Sequence, residues 1–200
     1  MRALTAGVGT GKVLASLAAV TMVSVAGVAG TTAALSDTTA NEGNRISAAT
    51  IALTDNDAGT FMYQVDKAQV SDPAVERCIR VSYSGSLDST VKLFMASTLD
   101  SGAPYVDLKV EAGTQASSSF PSCTGFTPAA VLYNGTLAGF RTSHGSAATG
   151  VAYTPNGANP WTSGNSVVYR VTVRVNNDAR PAGADSSGLH TYTWQADTVV

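Results

Sequence analysis

Apolar and polar residues alternate along much of the chain. In 104–111, Val106, Leu108 and Val110 fall on one side, with Tyr105, Asp107, Lys109 and Glu111 on the other. In 166–176, Val167, Tyr169, Val171, Val173 and Val175 alternate with Val168, Arg170, Thr172, Arg174 and Asn176. A period of two predicts strands with one wet face. In 75–83, Val75, Ile79, Val81 and Tyr83 share a face with Arg77, and Cys78 falls opposite. Either a bulge shifts that strand's register, or Cys78 lies outside the core.

Further strands are predicted over 45–54, 61–68, 90–97, 129–133, 136–141 and 189–197. Asn134-Gly135, set between Val131-Leu132-Tyr133 and Thr136-Leu137, reads as a two-residue hairpin turn. Turn-forming clusters occupy 54–60, 84–89, 100–104, 154–166 and 176–188. About eight to ten short strands at such spacing predict an antiparallel β-sandwich or barrel. Helical periodicity is hard to find, and there is no internal repeat or dividing linker.

The N-terminus breaks this pattern. Residues 1–12 carry Arg2 and Lys12 and no acid, residues 13–30 carry no charge, and Thr31-Thr32-Ala33-Ala34 follow. This order of basic, apolar and small-residue regions predicts a secretory signal over 1–33, cut between Ala33 and Ala34 by a signal peptidase. The competing reading is an uncleaved anchor, but the apolar run is short for a span and diluted by Ala, Gly, Ser and Thr. Residues 34–200 then form one domain, with a formal charge of −4 once Arg2 and Lys12 are removed.

Export changes the reading of the cysteines. Cys78 and Cys123 are the only two, and an even count in an oxidising compartment predicts a bridge between them. The alternative is two buried thiols. Charged residues make up only 13% of the chain and form no basic patch, which excludes nucleic acid as a partner.

Candidate chemistry is sparse. His144 sits in a Ser/Gly-rich loop and His190 opens the predicted last strand; neither has metal-ligand spacing. No Gly-x-Ser-x-Gly nucleophile motif occurs. Asp55-Asn56-Asp57 departs from a calcium loop at Gly59 and Thr60, and Asx turns account for it. Gly7–Lys12 lacks the first Gly and the final Ser or Thr of a phosphate loop. Asn134-Gly135-Thr136 fits a glycosylation sequon, though the turn reading suffices. Trp194 alternates as a core residue, whereas Trp161, in a loop, either caps the sandwich or faces a partner. No catalytic, metal or cofactor-binding residue is assigned.

Gly30-Thr31-Thr32-Ala33-Ala34-Leu35-Ser36-Asp37-Thr38, then Gly43-Asn44 and the small-residue stretch to Leu53, resemble the TasA/camelysin family of exported bacterial proteins. Leu35 stands where an aromatic residue is usual. Tyr169–Val173, Asn176–Ala179, Gly188 and Tyr192–Ala196 are similar to that family's closing strands, with Gln195 at a commonly acidic position. The resemblance implies a jelly-roll β-sandwich processed by a dedicated signal peptidase. It also implies a structural role at the cell surface or in a biofilm matrix, with self-assembly into fibres by exchange of a strand near Ala34–Leu53. Some members carry a metallo-endopeptidase label; with no zinc motif here, that activity stands as the rival reading. A monomeric cell-wall or ligand-binding module is the third.

Overall fold

A computed structural model describes residues 49–199 except 118, 156, 158, 159 and 177–179. Ala33, Ala34 and the expected signal segment lie outside the described residues. Eight strands form two antiparallel sheets: β1 (Leu53–Asp55), β2 (Val75–Tyr83), β3 (Ser89–Phe94), β4 (Val106–Gln115), β5 (Phe126–Thr136), β6 (Val151–Ala152), β7 (Ser166–Val175) and β8 (Thr193–Thr198). One sheet has the order β1-β2-β7-β4-β5 and the other β6-β3-β8. Among the described residues the fold is an all-β sandwich with one short α-helix, α1 (Leu137–Ser143), and a 3-10 turn at Ala103–Tyr105.

The alternation read from the sequence decides which face is dry. Val81 pairs with Val167, Ile79 with Tyr169, Tyr169 with Ala112 and Val171 with Val110, so the apolar sets of β2, β7 and β4 lie side by side. All of these residues are buried. The second sheet contributes Val91 and Leu93 to the same core, and Met95 just after β3 joins them. Trp194 on β8 packs its ring 5.3 Å from that of Tyr169 on β7 and so joins the sheets. Burial holds the Tyr169 phenol far above its ordinary pKa, so it stays neutral.

Trp161 resolves to the first of its two expectations. It is fully buried. Its backbone exchanges hydrogen bonds with Ser89, and its indole Nε1 donates to the Tyr153 carbonyl at 2.7 Å. Tyr83, also in the core, reaches the hydroxyl of Ser89 at 2.8 Å. A tryptophan in a turn thereby anchors the start of β3.

Four expectations are corrected. Asn134-Gly135 is not a hairpin turn: β5 runs through it, with Asn134 opposite Lys109 and Gly135 opposite Leu108. Residues 137–141 of the predicted 136–141 strand are helical instead, within α1. Thr136 is the N-cap, its Oγ1 accepting from the Gly139 amide at 3.0 Å, and Leu137 and Phe140 bury one face of the helix. Residues 61–68 form no strand. Of the predicted 45–54 strand, 45–48 lie outside the described residues and the strand proper starts at Leu53.

Candidate binding cleft

The two sheets do not close on every side. A cleft of about 1040 Å³ opens beside Val75 and Ile79 of β2, Val173 and Val175 of β7, and Tyr192 and Trp194 near β8. Two irregular segments wall it, 57–72 and 180–192. Among their exposed residues are four large apolar ones: Leu189 is 98% exposed, Phe61 72%, Val65 43% and Val70 42%. Large apolar side chains gathered at a cleft mark a contact surface rather than scatter.

The second wall is fastened to the turn before β4. Gly102 N donates to the Ser186 carbonyl at 2.8 Å, Asp100 N to that of Ser187 at 3.1 Å, and Ser101 Oγ to that of Gly183. Ala184 is buried beneath it. Gly102 has no room for a side chain, because a Cβ would collide with the backbone of Ser186. The first wall begins in the Asp55–Thr60 turn. There Asp55 Oδ1 accepts from the Asp57 amide, and Asp57 Oδ1 from the Gly59 amide. Burial raises the Asp55 pKa; the amide of Asp57 opposes this, and the Asp57 carboxylate adds to it. These are the Asx turns expected from the sequence.

The walls meet at one polar cluster. Tyr63 Oη lies 2.6 Å from His190 Nε2 and 2.9 Å from Tyr192 Oη. His190 Nδ1 lies 3.0 Å from the Gly188 carbonyl. A carbonyl only accepts, so Nδ1 carries the proton of the neutral ring. Nε2 then accepts from Tyr63, whose oxygen is left to accept from Tyr192. Burial pushes Tyr63 up to about 12 and Tyr192 well above its ordinary value. Burial also holds His190 below the usual histidine range, partly offset by its bond to Gly188.

His190 therefore precedes β8 rather than opening it, and it is a partly buried residue with a tyrosine partner. His144 ends α1, its Nδ1 2.8 Å from the Thr149 carbonyl and its ring against Tyr133 and Phe140. Among the described residues, no group of three His, Cys, Asp or Glu is placed to hold a metal ion. Sequence reasoning missed Tyr63 and Tyr192 as partners of His190. Tyr192, two positions on, shares a face with His190 in the alternation, but Tyr63 lies 127 positions away and no local pattern links it.

The cysteines are joined as expected: Cys78 and Cys123 form a disulfide with Cα atoms 5.1 Å apart. The register between β2 and β7 is unbroken through Cys78–Arg170, so no bulge is involved and the bridge lies on the face away from the core. It ties the β4–β5 loop to β2, where Cys78 N also donates to the Pro121 carbonyl. A formed disulfide indicates an environment outside a reducing cytoplasm. No helix among the described residues is long and apolar enough to cross a membrane. The chain matches no protein-family model and no curated protein.

Proposed function

We propose that the protein is an exported structural protein of the cell surface or extracellular matrix, which assembles when an N-terminal strand enters the cleft of a neighbouring copy. The cleft carries this reading: its floor is apolar, with Val75, Ile79, Val173 and Trp194, it lies beside β8, and exposed Phe61, Val65 and Leu189 line it. β8 beside it is an outer strand, hydrogen-bonded to β3. Strand addition satisfies the main-chain groups of such an edge, and alternate apolar side chains fill the groove.

The segment beginning at Ala34 suits the role. It contains Ile46, Ile51 and Leu53 with small residues between them. Its described end already lies along an edge: the Ala52 carbonyl accepts from Ser84 N, and the Thr50 carbonyl from Ser86 N. A head-to-tail contact of this kind does not close and propagates as a filament. Signal-peptidase cleavage between Ala33 and Ala34, a jelly-roll connectivity and kinship with the TasA/camelysin proteins belong to the same reading.

Electron microscopy and sedimentation of the chain starting at Ala34 test it. Monomers are expected at low concentration and filaments at high concentration. Leu189→Lys and Phe61→Lys, both at exposed positions, should suppress filaments while leaving the sheet circular dichroism unchanged. Monomers at every concentration would reject the proposal.

A further inference from the structure

The wall formed by 57–72 is held in an unusual way. Among the described residues, the hydrogen bonds joining 61–72 to the rest of the chain are those of Tyr63. The remaining polar contacts of this stretch among the described residues are local, such as Gln69 N to Asp72 Oδ2 and Gln64 to Asp66. Met62 and Tyr63 pack against the core, while Phe61, Val65 and Val70 face outward. One phenol thus fastens a twelve-residue wall, and its acceptor is a histidine.

We propose that His190 is a proton-operated latch on the cleft: protonation of its Nε2 releases Tyr63 and frees the 61–72 wall. The chemistry follows from the donor count. In the neutral state the chain Tyr192 O–H to Tyr63, Tyr63 O–H to His190 Nε2, and His190 Nδ1–H to Gly188 uses every group once. A proton on Nε2 converts that acceptor into a donor. Either Nε2 and Tyr192 both direct hydrogens at the Tyr63 oxygen and the Tyr63 proton loses its acceptor, or the phenols turn so that Tyr63 donates to Tyr192 and the Tyr192 proton must find another acceptor; in both cases the closed chain of hydrogen bonds is broken beside a new cation. The cationic ring must also stand in a partly buried site.

The rings facing His190 are Tyr63 from the wall and Tyr192 from its own segment. Asp57, Asp66, Asp72, Asp100 and Asp185, and Lys67, Arg174 and Arg180, line the same cleft. None of these charged groups contacts the His190 ring through a hydrogen bond or ion pair among the described residues. The neutral form is therefore the one the site is built around. This inference rests on the cleft being the acceptor surface proposed above, and it assigns that surface a control.

Hydrogen exchange of the soluble monomer reads the latch without requiring filaments. Protection factors are compared at pH 7.5 and 5.0, which removes the intrinsic pH dependence of exchange. Residues 61–72 should lose protection at least about tenfold on acidification, while β2 and β7 stay protected. His190→Gln, which keeps a donor and an acceptor but no titration, should abolish that loss. Tyr63→Phe should leave 61–72 open at both pH values, and His144→Gln should behave as the parent. Equal pH dependence in the parent and in His190→Gln would overturn the latch, whatever the filament assay shows. Absence of filaments alongside a working His190 response would instead sink only the assembly reading.

Discussion

Glu111 on β4 and Arg170 on β7 stand directly opposite each other on the outer face of the larger sheet, and the carboxylate is nearly enclosed. Arg170 Nη2 and Nε lie 2.7 and 2.8 Å from Glu111 Oε2, while Lys109 Nζ lies 2.8 Å from Oε1. The Arg170 guanidinium also covers the Phe126 ring at 4.8 Å. Burial alone raises the Glu111 pKa, but the hydrogen bonds and charges of Lys109 and Arg170 outweigh it and hold the group below its ordinary value.

Glu111→Gln should therefore cost about 2–3 kcal/mol at neutral pH, less than orphaning a fully buried charge because Arg170 keeps some access to water. The folded pKa is depressed. The contribution is thus present above the unfolded carboxylate value of 4.5 and is lost as pH falls through the folded one. Urea unfolding at several pH values checks this: the gap between parent and variant should close in acid. A gap that stays constant down to the lowest pH would contradict it.

Reducing the disulfide, or replacing both cysteines by Ser, removes a constraint on a loop of 45 positions. Loop entropy sets the expected loss at roughly 4 kcal/mol. The core does not include this bridge, so the variant should still fold with its sheet signal intact and unfold at lower urea. Unchanged stability under reducing conditions would show that the β4–β5 loop is held by its other contacts.

Trp161→Ala should be among the most damaging single changes, at about 3–5 kcal/mol, because it empties a fully buried site and leaves the Tyr153 carbonyl without its donor. Trp161→Phe should fall between the parent and Ala. Denaturant midpoints of the three chains provide the comparison.

The strands that pack face to face were legible because alternation is itself the physical cause of their burial. β4 and β7 needed nothing else, whereas the place of Cys78 on β2 was settled only by its unbroken register with β7. The Asn134-Gly135 expectation failed because a turn signal is only a local preference. Pairing with Lys109 and Leu108 keeps the chain extended, and the helix cap at Thr136 makes the change of direction. The seven-residue α1 is too short to display a helical period. Phe61, Tyr63 and Val65 alternate like a strand yet pair with no strand among the described residues, and Tyr63 is held through its hydroxyl instead. The site itself was largely hidden. His190 was visible as a residue, but its partner was 127 positions away.

Assembly through the N-terminal segment is tested most directly by electron microscopy of two chains side by side at high concentration, one starting at Ala34 and one lacking 34–52, which removes Ile46 and Ile51. The deletion spares β1 and every strand of the sandwich. The account predicts filaments from the first chain and folded monomers from the second. Filaments of equal number and length from both would contradict strand exchange.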